Sequence, residues 1–171
     1  MTDDVSAVVY DLDGTLVQLI VNWKAVAQDV TVELERHGVD ASDADLWRML
    51  DLADEANVRD EIEAIISQHE RDGARRSIRL PHADELLSRE IPVGVCSLNC
   101  ESACHVGLET HGLARHVDAV VGRDSVPTRK PHPEPLKATL RALGVDGAVF
   151  IGDSRRDELT AERAGVAFEY V

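Results

Sequence analysis

Five short apolar runs, separated by segments of helical periodicity, constrain the fold of this chain more than any other feature. Each run is apolar at successive rather than alternate positions; the runs cover residues 7–10, 91–96, 117–121, 148–151 and 167–171. Such continuous runs are typical of strands that are covered on both faces. The predicted helices between them are 84–89, 101–111, 134–143 and 157–164. Strands that alternate with helices predict an α/β fold with a parallel sheet.

Residues 18–78 interrupt this alternation. They contain no convincing strand, and their apolar residues form three stripes of helical spacing. We therefore expect a small helical cap domain at 18–78, inserted into a core domain made of residues 1–17 and 79–171. We expect residues 73–77 to be the hinge by which the chain returns, and Trp23 and Trp47 to lie in the core of the cap.

Charged and hydroxyl side chains follow four of the apolar runs. In chain order they are Asp11 and Asp13, then Ser97 and Asn99, then Lys130 after a polar loop, then Asp153 and Asp157. Because ligands of open parallel sheets bind beyond the carboxyl ends of the strands, we expect these side chains at one shared edge. Converging carboxylates require a cation, and oxygen ligands favour Mg²⁺ over zinc. The lysine and serine supply the charge and the hydrogen-bond donor that a phosphoryl group needs.

These motifs resemble those of the haloacid dehalogenase (HAD) superfamily of phosphohydrolases, and of its phosphoglycolate phosphatase-like members in particular. The matching residues are Asp11-x-Asp13-Gly14-Thr15, Ser97, Lys130 and Gly152-Asp153-Ser154-x-x-Asp157. The helical insertion is similar to that superfamily's type 1 cap in its position and helical character. The resemblance implies a Rossmann-like three-layer core and a Mg²⁺-dependent phosphatase that hydrolyses a small phosphorylated metabolite, such as phosphoglycolate or a sugar phosphate.

The same resemblance implies a role for each matching residue. Asp11 would attack phosphorus and form an aspartyl-phosphate, and Asp13 would act as general acid and then as general base. An acid at position 13 favours phosphate esters over C–Cl cleavage, because a halide leaving group needs no proton. The residues that would bind the phosphoryl group are Ser97, Asn99 and Lys130. The Mg²⁺ ligands would be Asp11, the backbone carbonyl of Asp13, Asp153 and, directly or through water, Asp157.

Two other functions stay open at this point. A phosphotransferase similar to β-phosphoglucomutase would use the same aspartate pair but protect the phospho-aspartate from water. A non-catalytic regulatory binding module on the same fold is the other. The pair Asp11 and Asp13 counts against it, because a binding protein has no need of an acid two residues from a nucleophile.

The charge balance disfavours two classes of partner. Asp and Glu number 32 against 18 Lys and Arg, and the resulting net charge of −14 repels nucleic-acid backbones and anionic membranes. Of the 18 basic residues only Lys24, Lys130 and Lys137 are lysines. Excess acid with so little lysine favours a halophilic protein, in whose cytoplasm the Debye length is only about 3 Å at 1 M salt.

The sequence also predicts the cellular compartment of the protein. The first residues lack the charged start of a signal peptide, and no apolar run approaches the length of a membrane span. Cys96, Cys100 and Cys104 are an odd number of cysteines without a disulfide pattern, which indicates a reducing compartment. We expect a cytoplasmic monomer or homodimer, with the cysteines acting as small buried hydrophobes and not as metal ligands.

Overall fold

A computed structural model describes residues 5–171 and consists of a parallel sheet between two layers of helices, with a separate group of three helices. The predicted α/β fold is confirmed; residues 1–4 of the expected core domain lie outside the described residues. In chain order the elements are β1 (Val8–Tyr10), β2 (Val17–Gln18), α1 (Trp23–Arg36), α2 (Leu46–Glu55), α3 (Arg59–Arg75), β3 (Ile78–Arg79), α4 (His82–Leu87), β4 (Val93–Cys96), α5 (Glu101–Thr110), β5 (Ala119–Val121), α6 (Glu134–Leu143), β6 (Val149–Gly152), α7 (Arg155–Ala164) and β7 (Ala167–Tyr170), with a 3₁₀ turn at Ala114–His116.

The sheet has the strand order β5-β4-β1-β6-β7, and every neighbouring pair is parallel. Successive side chains of β1 point to opposite faces, as the strand geometry requires. Val8 and Tyr10 pack in the cluster that includes residues of α4 and α5, whereas Val9 packs with Leu136 of α6 and Phe150 of β6. The central strand is therefore covered on both faces, which explains why its sequence is apolar at every position.

Helices α1 to α3 enclose a hydrophobic cluster of their own. Its members include Val30, Leu34, Leu50, Ile62 and Ile66, all buried. Polar caps start the first two helices, because the side chain of Asn22 accepts from Ala25 N–H at 3.1 Å and that of Asp45 accepts from Arg48 N–H at 2.8 Å. The three stripes of the sequence thus correspond to three helices with one shared core.

The structure differs from the sequence-based expectation at both ends of this helical segment. β2 and β3 form an antiparallel pair in which Val17 lies opposite Arg79, so a short strand begins and ends the region that was expected to lack one. The expected hinge at 73–77 is largely helical, because α3 continues to Arg75. Gly73 is small for a packing reason: a Cβ there would lie 2.4 Å from Val21 Cγ2 and 2.8 Å from the Ile20 carbonyl oxygen.

The three cysteines are free and buried, as expected. Burial raises the pKa of Cys96 to about 11, so its thiol stays protonated and unreactive near neutral pH. Among residues 5–171, no helix combines the length and apolar character that a bilayer crossing requires.

Candidate active site

The carboxyl ends of three adjacent strands bring the predicted site residues together. Asp11 directly follows β1, Ser97 follows β4 and Asp153 follows β6. Two of these positions still belong to the hydrogen-bonded ladder, because Asp11 N–H donates to Ile151 O and Ser97 N–H donates to Val121 O, both at 2.9 Å. The sheet thereby fixes the backbone from which the side chains project. All seven predicted site residues line one cavity of about 550 Å³: Asp11, Asp13, Ser97, Asn99, Lys130, Asp153 and Asp157.

Lys130 holds two of these carboxylates. Its Nζ donates to Asp11 Oδ1 at 3.0 Å, to Asp157 Oδ1 at 2.6 Å and to the Cys96 carbonyl at 3.0 Å, which uses all three of its protons. Burial disfavours the ammonium ion, but the attraction of Asp11 and Asp157 outweighs it and raises the pKa of Lys130. The lysine is therefore a permanent positive charge at the floor of the cavity.

The negative charge of Asp11 is less completely neutralised than the positive charge of Lys130. Burial raises the pKa of Asp11 to about 7; Lys130 lowers it, and the nearby charges of Asp157 and Asp153 raise it further. Its second oxygen has no hydrogen-bond partner in the part of the chain that the structure describes. A second cation beside this carboxylate would therefore keep it ionised at neutral pH.

The donor set fits Mg²⁺. Asp11, Asp153 and Asp157 each offer a carboxylate oxygen, and the three oxygens lie within 4.8 Å of one another. The Asp153 carboxylate makes no hydrogen bond with any of residues 5–171, so both of its oxygens are available. Asp157 is more occupied, because one oxygen accepts from Lys130 and the other from the Ser154 hydroxyl at 2.8 Å. Three hard oxygen donors, whose negative charges outnumber the single positive charge of Lys130, suit a hard divalent cation.

Gly14 allows the Asp153 carboxylate to approach the loop after β1. Its φ is +85°, in the left-handed region, and a Cβ at this position would lie 2.1 Å from Asp153 Oδ2. Any side chain here would both strain the backbone and displace the carboxylate. The glycine of the Asp-Gly-Thr motif is thus required by the shape of the acidic cluster.

The Asp13 carboxylate lies outside this cluster and has a different environment. Its Oδ1 accepts a hydrogen bond of 2.9 Å from Leu19 N–H, which orients the side chain. Burial raises the pKa of Asp13, and the charges of Asp153 and Glu70 add to that effect. A carboxyl group whose protonated form is favoured is suited to donate a proton.

Ser97 and Asn99 form a compact polar turn beside Lys130. The Ser97 hydroxyl donates to Asn99 Oδ1 and accepts from Asn99 N–H, both at 3.1 Å. Asn99 Nδ2 in turn donates to Glu70 Oε2 at 2.7 Å. The turn therefore connects the candidate phosphoryl-binding side chains to helix α3.

Sequence reasoning missed Glu70 and Arg123, which also line the cavity. Both are buried, and the Arg123 guanidinium contacts Glu63 and Glu70, each at 2.7 Å, and donates to the Leu98 carbonyl at 2.9 Å. Glu63 and Glu70 are two helical turns apart on α3, so they face the same way. The seven-residue spacing of the two glutamates was the only sign of this cluster in the sequence. It could not identify the buried ion pair, because the partner Arg123 lies 60 positions away from Glu63.

Both tryptophans also line the cavity. The expectation that they lie in the core of the cap is wrong for Trp23, whereas Trp47 does pack against the hydrophobic cluster of α1 to α3. Trp23 is 42% exposed, and Trp47 is partly buried. The guanidinium carbons of Arg156 and Arg129 lie 5.3 and 5.4 Å from the centroid of the Trp47 ring. Helix α2 thus presents an aromatic wall to the residues that follow β6.

Comparisons with known proteins identify the family of the chain. The family model for haloacid dehalogenase-like hydrolases matches residues 8–171. A phosphoglycolate phosphatase from Rhodospirillum rubrum is 33% identical over 184 aligned positions, which cover 94% of this chain and 76% of the relative. The pyrophosphatase PpaX from Oceanobacillus iheyensis is 27% identical over 176 positions, covering 95% of this chain and 81% of the relative.

A solved structure gives the same result for the fold. A HAD-superfamily hydrolase of subfamily IA from Geobacter sulfurreducens matches with a TM-score of 0.63 at 27% identity, over 96% of this chain and 88% of that one. Sequence, fold and relatives agree, and the chain belongs to the haloacid dehalogenase-like hydrolase family.

Proposed function

We propose that this hydrolase is a Mg²⁺-dependent phosphatase that cleaves a small phosphorylated metabolite through an aspartyl-phosphate on Asp11. The observation that carries the proposal is the placement of Asp11: one of its oxygens contacts Lys130 at 3.0 Å, and the other is unengaged by residues 5–171 in the same cavity as Asp13. The names of the two relatives, a phosphoglycolate phosphatase and a pyrophosphatase, support phosphate as the group transferred.

In the first step the free oxygen of Asp11 attacks phosphorus. The new P–O bond forms as the bond to the leaving oxygen breaks, and Asp13 donates its proton to that oxygen. Lys130 balances charge on the phosphoryl oxygens. The Ser97 hydroxyl turns its proton from Asn99 Oδ1 to one of these oxygens, and the Asn99 Nδ2 proton that does not bond Glu70 donates to another. The raised pKa of Asp13 favours the protonated form that this step requires.

In the second step water cleaves the aspartyl-phosphate. Asp13, now ionised, accepts a proton from the water, whose oxygen forms a bond to phosphorus as the Asp11–phosphorus bond breaks. Free phosphate leaves, and both aspartates return to their starting protonation states. The hydrogen bond from Leu19 N–H keeps Asp13 oriented through both steps.

Asp11, Asp153 and the Asp13 carbonyl would hold Mg²⁺, with Asp157 acting directly or through water. The bound ion supplies positive charge that favours the ionised form of Asp11 and reduces repulsion between that carboxylate and the phosphoryl group. Because both Asp157 oxygens already accept hydrogen bonds, contact through water fits its surroundings better than direct ligation.

Residues 18–78 would act as a cap over this chemistry. Trp23 begins α1, and Asp45, Leu46 and Trp47 begin α2; all four line the cavity above the strand ends. A wall of this kind limits the access of bulk water, which strengthens the electrostatic interactions at phosphorus.

A panel of phosphorylated metabolites, pyrophosphate and p-nitrophenyl phosphate tests the proposal. Release of free phosphate is measured with and without Mg²⁺ across a KCl series, because a halophilic cytoplasmic enzyme should gain activity with salt. Asp11→Asn is the control and should abolish turnover without loss of the fold, as seen by circular dichroism.

Each other outcome identifies a different function. Transfer of phosphate to an added sugar phosphate without release of free phosphate indicates a phosphotransferase. Preference for pyrophosphate over every monoester indicates the activity named for the Oceanobacillus relative. A folded protein without turnover of any of these compounds is a binding module.

A further inference from the structure

The basic side chains that line the cavity differ in whether they are neutralised. Six lining residues are acidic and only three, Arg123, Lys130 and Arg156, are basic. Lys130 contacts two carboxylates, and Arg123 also contacts two. The Arg156 guanidinium, by contrast, forms no hydrogen bond or ion pair with any residue between 5 and 171. Among the described residues, it is therefore the basic side chain of this cavity whose hydrogen-bond donors are all free to bind a ligand.

Arg156 is nevertheless held in place. Its guanidinium carbon lies 5.3 Å from the centroid of the Trp47 ring, a cation–π contact that positions the group without using its N–H donors in a hydrogen bond. Arg129 also contacts this ring, but its charge is balanced by Asp51 at 3.1 Å. A positioned guanidinium without a carboxylate partner is prepared to bind an anion.

The backbone position of Arg156 is unfavourable for a positive charge that has no carboxylate partner among residues 5–171. It lies in the first turn of α7, where the helix dipole disfavours positive charge. Its neighbour Arg155 is in the same turn but pairs with Glu158. An anion in the cavity would offset the unfavourable interaction that Arg156 has with the helix.

We propose that Arg156, held against Trp47, binds a carboxylate of the substrate at the end remote from the phosphoryl group. This inference rests on the proposed phosphatase function and narrows its substrate class to small phosphorylated carboxylic acids. A guanidinium binds a carboxylate through two parallel hydrogen bonds, which a hydroxyl of a sugar phosphate cannot accept in the same way. Because acidic residues outnumber basic ones along the cavity, a substrate that is anionic at both ends needs positive charge at each end. Lys130 together with Mg²⁺ would supply it at the phosphoryl end, and Arg156 at the carboxylate end.

The test compares two substrates that differ only at the remote end: 2-phosphoglycolate, which carries a carboxylate, and 2-hydroxyethyl phosphate, which carries a hydroxyl. Arg156→Gln should raise the KM for 2-phosphoglycolate about 10- to 100-fold, the value of a charge-assisted hydrogen-bond pair. Its KM for 2-hydroxyethyl phosphate and its kcat for both should stay within about twofold of the unmodified protein. Arg155→Gln, which removes the same charge one residue away, should leave both substrates unaffected.

A structural role for Arg156 would give a different pattern. If the only role of Arg156 is to hold α7 against α2, Arg156→Gln would change kcat or KM equally for both substrates. That result would contradict the proposed carboxylate subsite. No change with either substrate also overturns it. Urea unfolding of each variant shows whether the fold is intact.

A binding measurement separates this inference from the proposed function. In the Asp11→Asn background, calorimetry should show at least tenfold weaker binding of 2-phosphoglycolate once Arg156→Gln is added. If the unmodified protein releases phosphate from no compound of the panel, the phosphatase proposal fails, while the calorimetric difference still supports or contradicts the subsite. If it hydrolyses both 2-phosphoglycolate and 2-hydroxyethyl phosphate with equal KM, the phosphatase proposal survives and the subsite does not.

Discussion

The ammonium group of Lys130 donates a 2.6 Å hydrogen bond to Asp157 in the first turn of α7, and both side chains are almost completely buried. The same ammonium contacts Asp11 at 3.0 Å, so one positive charge serves two carboxylates from different ends of the chain. This contact attaches the loop before α6 to α7 and to β1.

Lys130→Met should destabilise the protein in the absence of divalent cations. The substitution keeps most of the side-chain volume but leaves two buried carboxylates without their cation, which typically costs about 3–5 kcal/mol. Urea unfolding measures the change. Lys137→Met is the matched control, because Lys137 is exposed on α6; equal stability of the two variants would contradict the importance of the buried pair.

Asp13→Asn should slow poor leaving groups more than good ones. An asparagine cannot donate the proton that an alkoxide needs, so kcat/KM for an alkyl phosphate should fall about 10²- to 10⁴-fold. For p-nitrophenyl phosphate, whose leaving group needs little protonation, the decrease in kcat/KM should be much smaller. Equal decreases for both substrates would exclude Asp13 as the general acid.

Binding of Mg²⁺ should strengthen as the pH rises from 6 to 8. Burial raises the pKa of Asp11 to about 7, so below that pH the carboxyl group retains a proton that the metal must displace. Above it the carboxylate is already ionised and the competition ends. Calorimetry in buffers of different ionisation enthalpy should therefore detect proton release at pH 6 but little at pH 8. An affinity independent of pH would show that Asp11 is ionised throughout.

Glu70→Ala should weaken both the fold and the site. Glu70 is buried between Arg123 and Asn99, and its removal leaves Arg123 paired with Glu63 but the Asn99 amide without its acceptor. A buried donor left unpaired typically costs about 1–3 kcal/mol. Because Asn99 loses its acceptor, the KM for substrate should also rise. Glu61→Ala removes an exposed charge from the same helix and should affect neither quantity. Similar behaviour of the two variants would show that the ion cluster has no role in the site.

Gly14→Ala should lower the affinity for Mg²⁺ as well as the stability. Its backbone φ of +85° costs a non-glycine residue about 1–2 kcal/mol, and the new Cβ would displace the Asp153 carboxylate. Gly38→Ala is a close control, because Gly38 has a φ of +75° but a Cβ there would meet no other atom within 4 Å. Thermal unfolding in a series of Mg²⁺ concentrations measures both effects. Both variants should unfold at a lower temperature, but only Gly14→Ala should need more Mg²⁺ to reach half of the maximal increase in unfolding temperature. An equal Mg²⁺ requirement for the two variants would contradict the role of Gly14 in the acidic cluster.

The sheet could be predicted because its strands are covered on both faces, so that their residues are apolar without interruption. The ends of strands were harder: in the run at 91–96 the strand begins only at Val93, whose N–H donates to the Asp118 carboxylate at 2.9 Å and not to a neighbouring strand. β2 and β3 were not predicted, since two-residue strands have no periodicity and the pairing of Val17 with Arg79 joins distant parts of the chain.

Some residues of the candidate site could likewise be predicted from the sequence, and others could not. Asp11, Ser97 and Asp153 could be identified because each directly follows a strand, and their placement depends on local sequence. Glu70 and Arg123 could not, because the burial of each charge depends on a partner from another part of the chain. Gly73 resembled a flexible position in the sequence, but it is needed for close contact with the Ile20 carbonyl.

The burial of Lys130 also determines how the protein would respond to amine-modifying reagents. Lys24 and Lys137 are exposed, whereas Lys130 is 2% exposed and its ammonium is shared by two carboxylates. An acylating dye or a support that couples through amines would therefore react with the two outer lysines and spare the inner one. The protein can be labelled or immobilised through its lysine side chains with the positive charge of its active site unmodified.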